Sequence, residues 1–402
     1  MSEFRDWFSV LAADSNWYVY IKRLSANDTG ATGSHQVGIY IPKDVMNQLF
    51  PALNRTDILN PELLIPARIC SHPQPEQQVK VIYYNNRYFG QTRNEKRITR
   101  WGGRNCPLQD PENTGALAVL AFRRQEDQNA ELLEGWVCQS IETEDLIESI
   151  VGEILPGNFL FGSAEKIFGG FSSGFKWSDG NYPIPAGWNN KFPSGAEIIN
   201  YLPAIFRFRS TIPDDLLLER RDAEYSVFRK IEELHVLDQI RAGFGSVDAF
   251  IDLANSVSNR RKSRAGKSLE LHLEQLFTEQ ALTTFSTQCV TEGNKRPDFI
   301  FPSCAAYHDP DWPIERLRML AVKTTCKDRW RQIISEADRI NDIHLFTLQE
   351  GVSVNQYQEM RNAGVKLVVP SPLHRKYPEE IRGELISLAD FIHETKALYE
   401  VE

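Results

Sequence analysis

The sequence predicts a multidomain α+β chain, with an N-terminal β-barrel followed by a C-terminal α/β domain on a central mixed or mainly parallel sheet. Three observations predict it. Short apolar runs separated by turn residues crowd the first ~165 residues. Helical and strand patterns alternate after residue 196. Between them lies a stretch rich in Gly, Ser, Asn and Pro, without periodicity. The expected boundaries are 1–168 for the first domain, 169–195 for a linker and 196–402 for the second domain.

In the first domain, WYVYIKR (17–23) sets Trp17, Val19 and Ile21 against Tyr18, Tyr20 and Lys22, a period of two. QVGIYIP (36–42), VKVIYYN (79–85), GALAVLAF (115–122) and EGWVCQSI (134–141) are further short runs bounded by Gly, Asn or Pro. Many such strands suggest a barrel or sandwich. Short helices are expected near 43–50 and 143–152. In the second domain, helical spacing covers 214–240 and 268–280. Apolar runs follow at 284–290, 297–301 and 317–325, then a helix at 327–340, a strand at 343–348, a helix at 354–363, a strand at 365–370 and a long helix at 378–399.

The 402 residues are 42% hydrophobic and 25% charged, ordinary for a globular protein of two or three domains. No apolar run approaches the ~18 residues of a membrane span, and the N-terminus has no basic region of the signal-peptide type. Six scattered cysteines without a CxxC pair make disulfides and structural zinc unexpected, which fits a reducing, cytoplasmic setting. The net charge of −9 argues mildly against a polyanionic partner, but its distribution argues for one. Residues 87–104 carry six basic side chains against Glu95 alone, and 260–267 carry five with no acid. A third basic patch spans Lys323–Arg331. RAGKS (264–268) lacks the first glycine of a phosphate-binding loop, so no nucleotide cofactor is expected; a basic loop touching DNA phosphates fits better.

The chemistry is expected in RPDFIF (296–301) and AVKTTCKDRWRQIISEAD (321–338). Asp298 opens one strand and Lys323 ends another. Metal-dependent phosphodiester hydrolysis needs carboxylates to hold Mg2+ and a cation beside the attacked phosphate. The position two before Lys323, where an acid often stands, is Ala321. Glu336, expected on the following helix, is the leading replacement, with Asp298 and Glu336 as metal ligands. Glu270 and Glu274 share a helix face, and either could join the site. Trp330, Ile333, Ile334 and Ala337 form the expected buried stripe of that following helix. Lys327, Asp328 and Arg329 have donors and acceptors suited to G·C edges in the major groove. A regulator with dead nuclease chemistry and a structure-specific repair nuclease are the competing readings.

The segments YIKRLSANDTGATGSHQVGIYIP (20–42), TRNEKRITRWG (92–102), QDPENTGAL (109–117), EELHVLDQIRAGFGSVDAFIDLANSVSNRRKSRAGKSLELHLEQLF (232–277) and AVKTTCKDRWRQII (321–334) resemble the EcoRII-type restriction endonucleases over essentially the whole chain, least so at about 155–215. The resemblance implies an N-terminal DNA-binding effector barrel of the B3-like type and a C-terminal PD-(D/E)xK domain that dimerises and cuts. It implies a homodimer acting on double-stranded DNA at CCWGG (W is A or T), stimulated by more than one site. It further implies that the effector domain covers the cleft until it binds DNA. By that resemblance Asp298, Lys323 and Glu336 are catalytic, and Lys327, Asp328 and Arg329 read the C·G pairs. Arg221 and Tyr225 would lie near the flipped central pair. His35, Tyr40, Arg93, Glu95, Lys96 and Arg97 would contact DNA in the effector domain. Gln91 stands where one member of the family has lysine, a departure expected to weaken a DNA contact of the effector domain.

Overall fold

Period-two alternation decides the N-terminal half. The computed structural model describes residues 2–33, 38–126, 128–168, 182–327, 329–341 and 343–399. Helix α1 (Ser2–Ala13) precedes strands β1 (Trp17–Arg23) and β2 (Ile39–Tyr40), helix α2 (Lys43–Leu49), and strands β3 (Glu62–Ile69), β4 (Gln77–Tyr84), β5 (Glu95–Thr99), β6 (Leu117–Arg123) and β7 (Leu132–Val137). Helix α3 (Ile141–Val151), strand β8 (Phe159–Ser163) and helix α4 (Ala164–Phe168) complete this half. The strands form one sheet in the order β2-β5-β4-β3-β7-β6-β1-β8, antiparallel except for β3 beside β7. The sheet curls as a half-barrel around one core and carries a second core on its other face. Tyr20 and Leu120 face the inner cluster with Trp101 and Phe122. Val19, Ile21 and Val119 face the outer cluster under α1, α3 and α4. Each such side chain contributes roughly 1.5–3 kcal/mol through burial.

Strands β3, β5 and β8 and helix α1 add to the elements expected from periodicity. β3 holds Pro66, which cannot donate to a ladder; its pairing with β7 begins only at Ala67. β5 is the basic run EKRIT, whose charges mask a strand.

The C-terminal half contains α5 (Gly195–Ile205), α6 (Pro213–Ala242), α7 (Val247–Glu279), β9 (Ser286–Thr287), β10 (Phe299–Phe301), α8 (Cys304–His308), β11 (Arg318–Val322), α9 (Trp330–Ile333), β12 (Ile343–Phe346), α10 (Val354–Asn362), β13 (Val365–Val368), α11 (Ser371–His374), α12 (Glu379–Arg382) and α13 (Leu388–Ala397). The sheet order is β13-β12-β11-β10-β9. β11, β12 and β13 run parallel, while β10 pairs antiparallel with β11 and β9, so the sheet is mixed. Phe299, Phe301, Leu320 and Val322 pack on one face with residues of α6, α7 and α13. Ile300, Met319 and Ala321 pack on the other with Trp330, Ile333 and Met360. Residues 169–181 of the expected linker lie outside the described residues; in its remainder Tyr182, Ile184, Trp188 and Phe192 pack on α6.

Several expectations are corrected. The segment 264–268 is not a loop but part of α7, which runs unbroken from Val247; its basic residues do not interrupt helical hydrogen bonding. The expected helix 327–340 shortens to α9, so Glu336 lies in the turn beyond it, and Ile334 is exposed rather than in the buried stripe. The expected helix 378–399 divides into α12 and α13. Ile386 between them bridges Val368 in parallel register, and buried Asp214 accepts hydrogen bonds from the amides of Leu388 and Ala389 to start α13. Cys289 and Cys304 are joined by a disulfide that scattered spacing did not suggest. The β9–β10 hairpin returns the chain so that residue 289 meets the start of α8, bringing their Cα atoms within 5.5 Å.

Candidate active site and DNA-reading surfaces

A strand end positions the first carboxylate. Asp298 immediately precedes β10 and is buried; its Oδ2 accepts a 2.7 Å hydrogen bond from the Val322 amide of neighbouring β11. That bond fixes the carboxylate beside the exit of β11, where Lys323 Nζ stands 3.5 Å from the same oxygen. Alternation along β11 sends Ala321 into the apolar cluster with Ile300 and Trp330, so an acid there would be surrounded by hydrocarbon. Glu336 approaches from the turn after α9, its carbonyl held by Thr291 Oγ1 at 2.5 Å. Burial pushes its carboxyl up; Lys323 pulls it back and Asp298 adds repulsion. Glu270, on α7, is pushed up to about 7, first by burial and then by Asp298, with Lys323 opposing. Gln288 Nε2 donates to Glu270 at 3.4 Å. The fold therefore pairs Asp298 with Lys323 and brings Glu270 and Glu336 within electrostatic reach of both. Glu274, one turn beyond Glu270, is exposed. Carboxyls that raise one another's affinity for protons want a shared cation. Hard oxygen donors of this kind fit Mg2+ better than a thiophilic ion.

A cleft opens beside Lys323 and Glu270. Lys323, Glu270, Asp145, Glu148 and Glu153 are among the residues lining a cavity of about 550 Å3. The wall comes from α3 and the segment after it. Asp145 Oδ1 accepts from Arg329 Nη2 at 3.2 Å, and Asn113 Oδ1 lies 3.4 Å from Lys327 Nζ. Asp328 lies outside the described residues. Glu153 reaches into α6 and α7: its carboxylate accepts from Arg264 Nη1 at 3.0 Å and stands 3.8 Å from Arg221 Nη2. Arg264 also pairs with Glu224 and stacks over Tyr225, 4.3 Å from the ring centre. Arg221 and Tyr225 are thus buried, Arg221 bonding Ser268 Oγ at 3.0 Å. In the same pocket of charges His272 is fully buried, and burial drives its pKa down to about 3.

Sequence reasoning missed Glu153, Asp145 and Gln349. Gln349 lies three residues beyond β12 as a buried amide. Its Oε1 accepts from the Cys326 and Lys327 amides at 2.9 and 3.1 Å, and its Nε2 donates to Gly351 O at 2.8 Å and Thr114 O at 3.4 Å. A Cβ at Gly115 would collide with this side chain. A polar residue just beyond an apolar strand was the available signal; its partner 235 residues away was not visible.

On the half-barrel, alternation sorts the basic run. Glu95 and Arg97 share one face of β5, while Lys96 points with Ile98 toward the inner core. Lys96 is 1% exposed, bonds Asn47 and Asn54, and lies 4.7 Å from the Tyr83 ring centre. Burial, then Lys43, lowers its pKa to about 8. Glu95 accepts from Arg93 at 2.7 Å and Arg97 at 3.2 Å, and Arg93 stacks on Tyr84. Tyr40 is exposed beside Arg97. Gln91 is exposed and accepts from Asn86. His35 lies outside the described residues.

Residues 13–166 match the family described as restriction endonuclease EcoRII, N-terminal, and residues 228–392 match EcoRII C terminal. The chain is 56% identical to the type II restriction enzyme EcoRII of Escherichia coli over 400 residues, covering 99% of this chain and 98% of that one. The chain belongs to the EcoRII family of type II restriction endonucleases. The EcoRII-type assignment makes it a DNA-binding nuclease, as the resemblance implied. Two solved structures of metal-depleted Ecl18kI with uncleaved DNA, one modified, are similar at 20% and 18% identity, each with a TM-score of 0.42. They cover 53% and 55% of this chain and 82% and 88% of their own. No helix among the described residues is long and apolar enough to cross a membrane.

Proposed function

We propose that this EcoRII-type enzyme hydrolyses double-stranded DNA at CCWGG with Mg2+ held by Asp298 and Glu336, and with Glu270 completing the carboxylate set. The Asp298–Lys323 pair at the ends of β10 and β11, with Glu270 and Glu336 in electrostatic reach of it, carries this reading. Bound there, the ion would supply Lewis-acid polarisation and a more acidic water. Lys323, tethered by Asp298, is placed to orient the attacking water and offset charge building on the phosphate. In-line attack leaves 5′-phosphate and 3′-hydroxyl ends. Lys327, Asp328 and Arg329 read the C·G pairs, and Arg221 and Tyr225 flank the central pair.

The half-barrel, residues 1–168, is the effector domain, and it reads a second copy of the site through Tyr40, Arg93, Glu95 and Arg97, with His35 beside them. Lys96 supports that face from beneath. In the closed form the effector domain occupies the catalytic cleft through Asp145, Asn113 and Glu153, while residues 196–402 dimerise and cut. The contacts at Lys327 and Arg329 support this: the side chains offered for base reading already have protein partners. Incubating plasmids bearing one or several CCWGG sites with Mg2+ or EDTA tests it. Metal-dependent fragments with ends mapped to CCWGG are expected, more readily from several sites. Cutting without regard to sequence, or a mobility shift without cutting, would overturn it.

A further inference from the structure

Cys304 and His308 stand four residues apart on α8, so both project from one helix face. Cys289 faces them from the segment after β9. The three ligand atoms lie within 4.8 Å of one another, and Cys289 Sγ is 4.0 Å from His308 Nε2. A tetrahedral ion with bonds of ~2.3 Å to sulfur and ~2.0 Å to nitrogen requires a sulfur–nitrogen edge of about 3.6 Å and a sulfur–sulfur edge of about 3.8 Å. The first edge is nearly met. The second is met when the disulfide opens, because Cα atoms 5.5 Å apart suit either arrangement and the Cys304 side chain is only half-buried. His308 is exposed, so solvent can take the fourth position. Its Nε2 now faces Val290 O at 2.9 Å and would exchange that partner for the ion. Two sulfurs and an imidazole select a thiophilic cation, whereas the carboxylates of the cleft select a hard one.

We infer that Cys289, Cys304 and His308 form a second metal site, which takes a thiophilic divalent cation of the Zn2+ class once the disulfide is reduced. The inference goes beyond the nuclease reading and does not rest on it. A phosphine reductant and water convert the S–S bond to two thiols and leave the phosphine oxide. Binding the ion then releases both thiol protons. The site sits against the cutting centre. Gln288, next to Cys289, holds Glu270, and Thr291, two residues beyond, holds the Glu336 carbonyl.

The test is titration of the full chain with Co2+ as a spectroscopic stand-in for Zn2+, after phosphine reduction and removal of the reductant. Reduced protein is expected to show a sulfur-to-cobalt charge-transfer band and tetrahedral visible bands at one equivalent, displaced by Zn2+. The oxidised protein is expected to show neither. Cys289→Ser abolishes the bands; Cys70→Ser, at a distant half-buried thiol, retains them. His308→Ala leaves both thiols in place and guards against loss of fold in the cysteine variant. It weakens binding by more than the about 10–100-fold typical of losing an outer-shell partner. Absence of the bands in reduced protein, their survival in Cys289→Ser, or unchanged affinity in His308→Ala overturns the site.

Discussion

Replacing Glu153 by glutamine tests whether a buried charge holds the cleft shut. The cluster it enters contains Arg221, Arg264, Glu153 and Glu224, two positive and two negative groups, each side chain under a tenth exposed. Burial already pulls the Arg221 guanidinium down, with Glu153 the main opposing influence. Glutamine keeps an oxygen for Arg264 but removes the charge, leaving one buried positive charge uncompensated. Breaking a buried pair costs about 3–5 kcal/mol. Because the amide preserves part of the hydrogen bonding, about 2–3 kcal/mol is expected here. In the proposed open form Glu153 leaves with the half-barrel, so the substitution costs only the proposed closed form. At about 1.4 kcal/mol per tenfold change, the open population rises roughly 30- to 150-fold. The assay is the initial rate of cleavage of a plasmid with a single CCWGG site, with and without an added oligonucleotide duplex carrying the site. Glu153→Gln is expected to cut the single-site plasmid far faster than the parent protein and to gain little from the duplex. A folded variant with the parent's rate and the parent's dependence on the duplex would refute the latch.

Three further outcomes follow from the same geometry. Asp298→Ala, which removes the partner of Lys323 and the Val322 amide, is expected to abolish cleavage while gel shifts on CCWGG duplexes persist; surviving cleavage would remove Asp298 from the chemistry. Glu270 must lose its proton to help bind a cation. With its pKa raised to about 7, affinity for Ca2+, measured by calorimetry as a non-cleaving ion, is expected to fall up to about tenfold per pH unit below 7; affinity independent of pH would count against it. His272, held neutral with its pKa lowered to about 3, contributes stability that is present above the unfolded value and lost as pH falls. Between pH 6.5 and pH 5 the loss is about 2 kcal/mol, read as a fall in Tm that His272→Gln removes; an equal acid slope in both proteins would refute it.

Asp298 and Lys323 of the candidate set were legible because they sit at strand ends. Pro297 before Asp298 and the apolar run ending at Lys323 are local signals, and the structure joins them through the Val322 amide. Glu336 was found for a partly different reason. Its place beside Lys323 does not need the expected helix, only a turn tied back by Thr291. The basic runs were legible as charge but not as direction. Lys96 turns inward on a strand, and Arg264 turns inward on a helix to meet Glu224 and Glu153. A cation's partner lies wherever the fold delivers an acid, and sequence spacing of 111 residues carries no trace of it.

By itself the sequence determined the family, the two-part architecture, and the acid and lysine at adjacent strand ends. These follow from local alternation, from proline and glycine placement, and from long stretches that resemble the family. Only the tertiary structure decided that α3 and Glu153 wall the cleft, that Gln349 ties the Lys327 segment to the half-barrel, and that Cys289 meets Cys304 and His308. Each of those pairings joins residues brought together by packing between elements. Burial makes their polar groups seek one another, because a lone charge or amide removed from water costs more than a paired one.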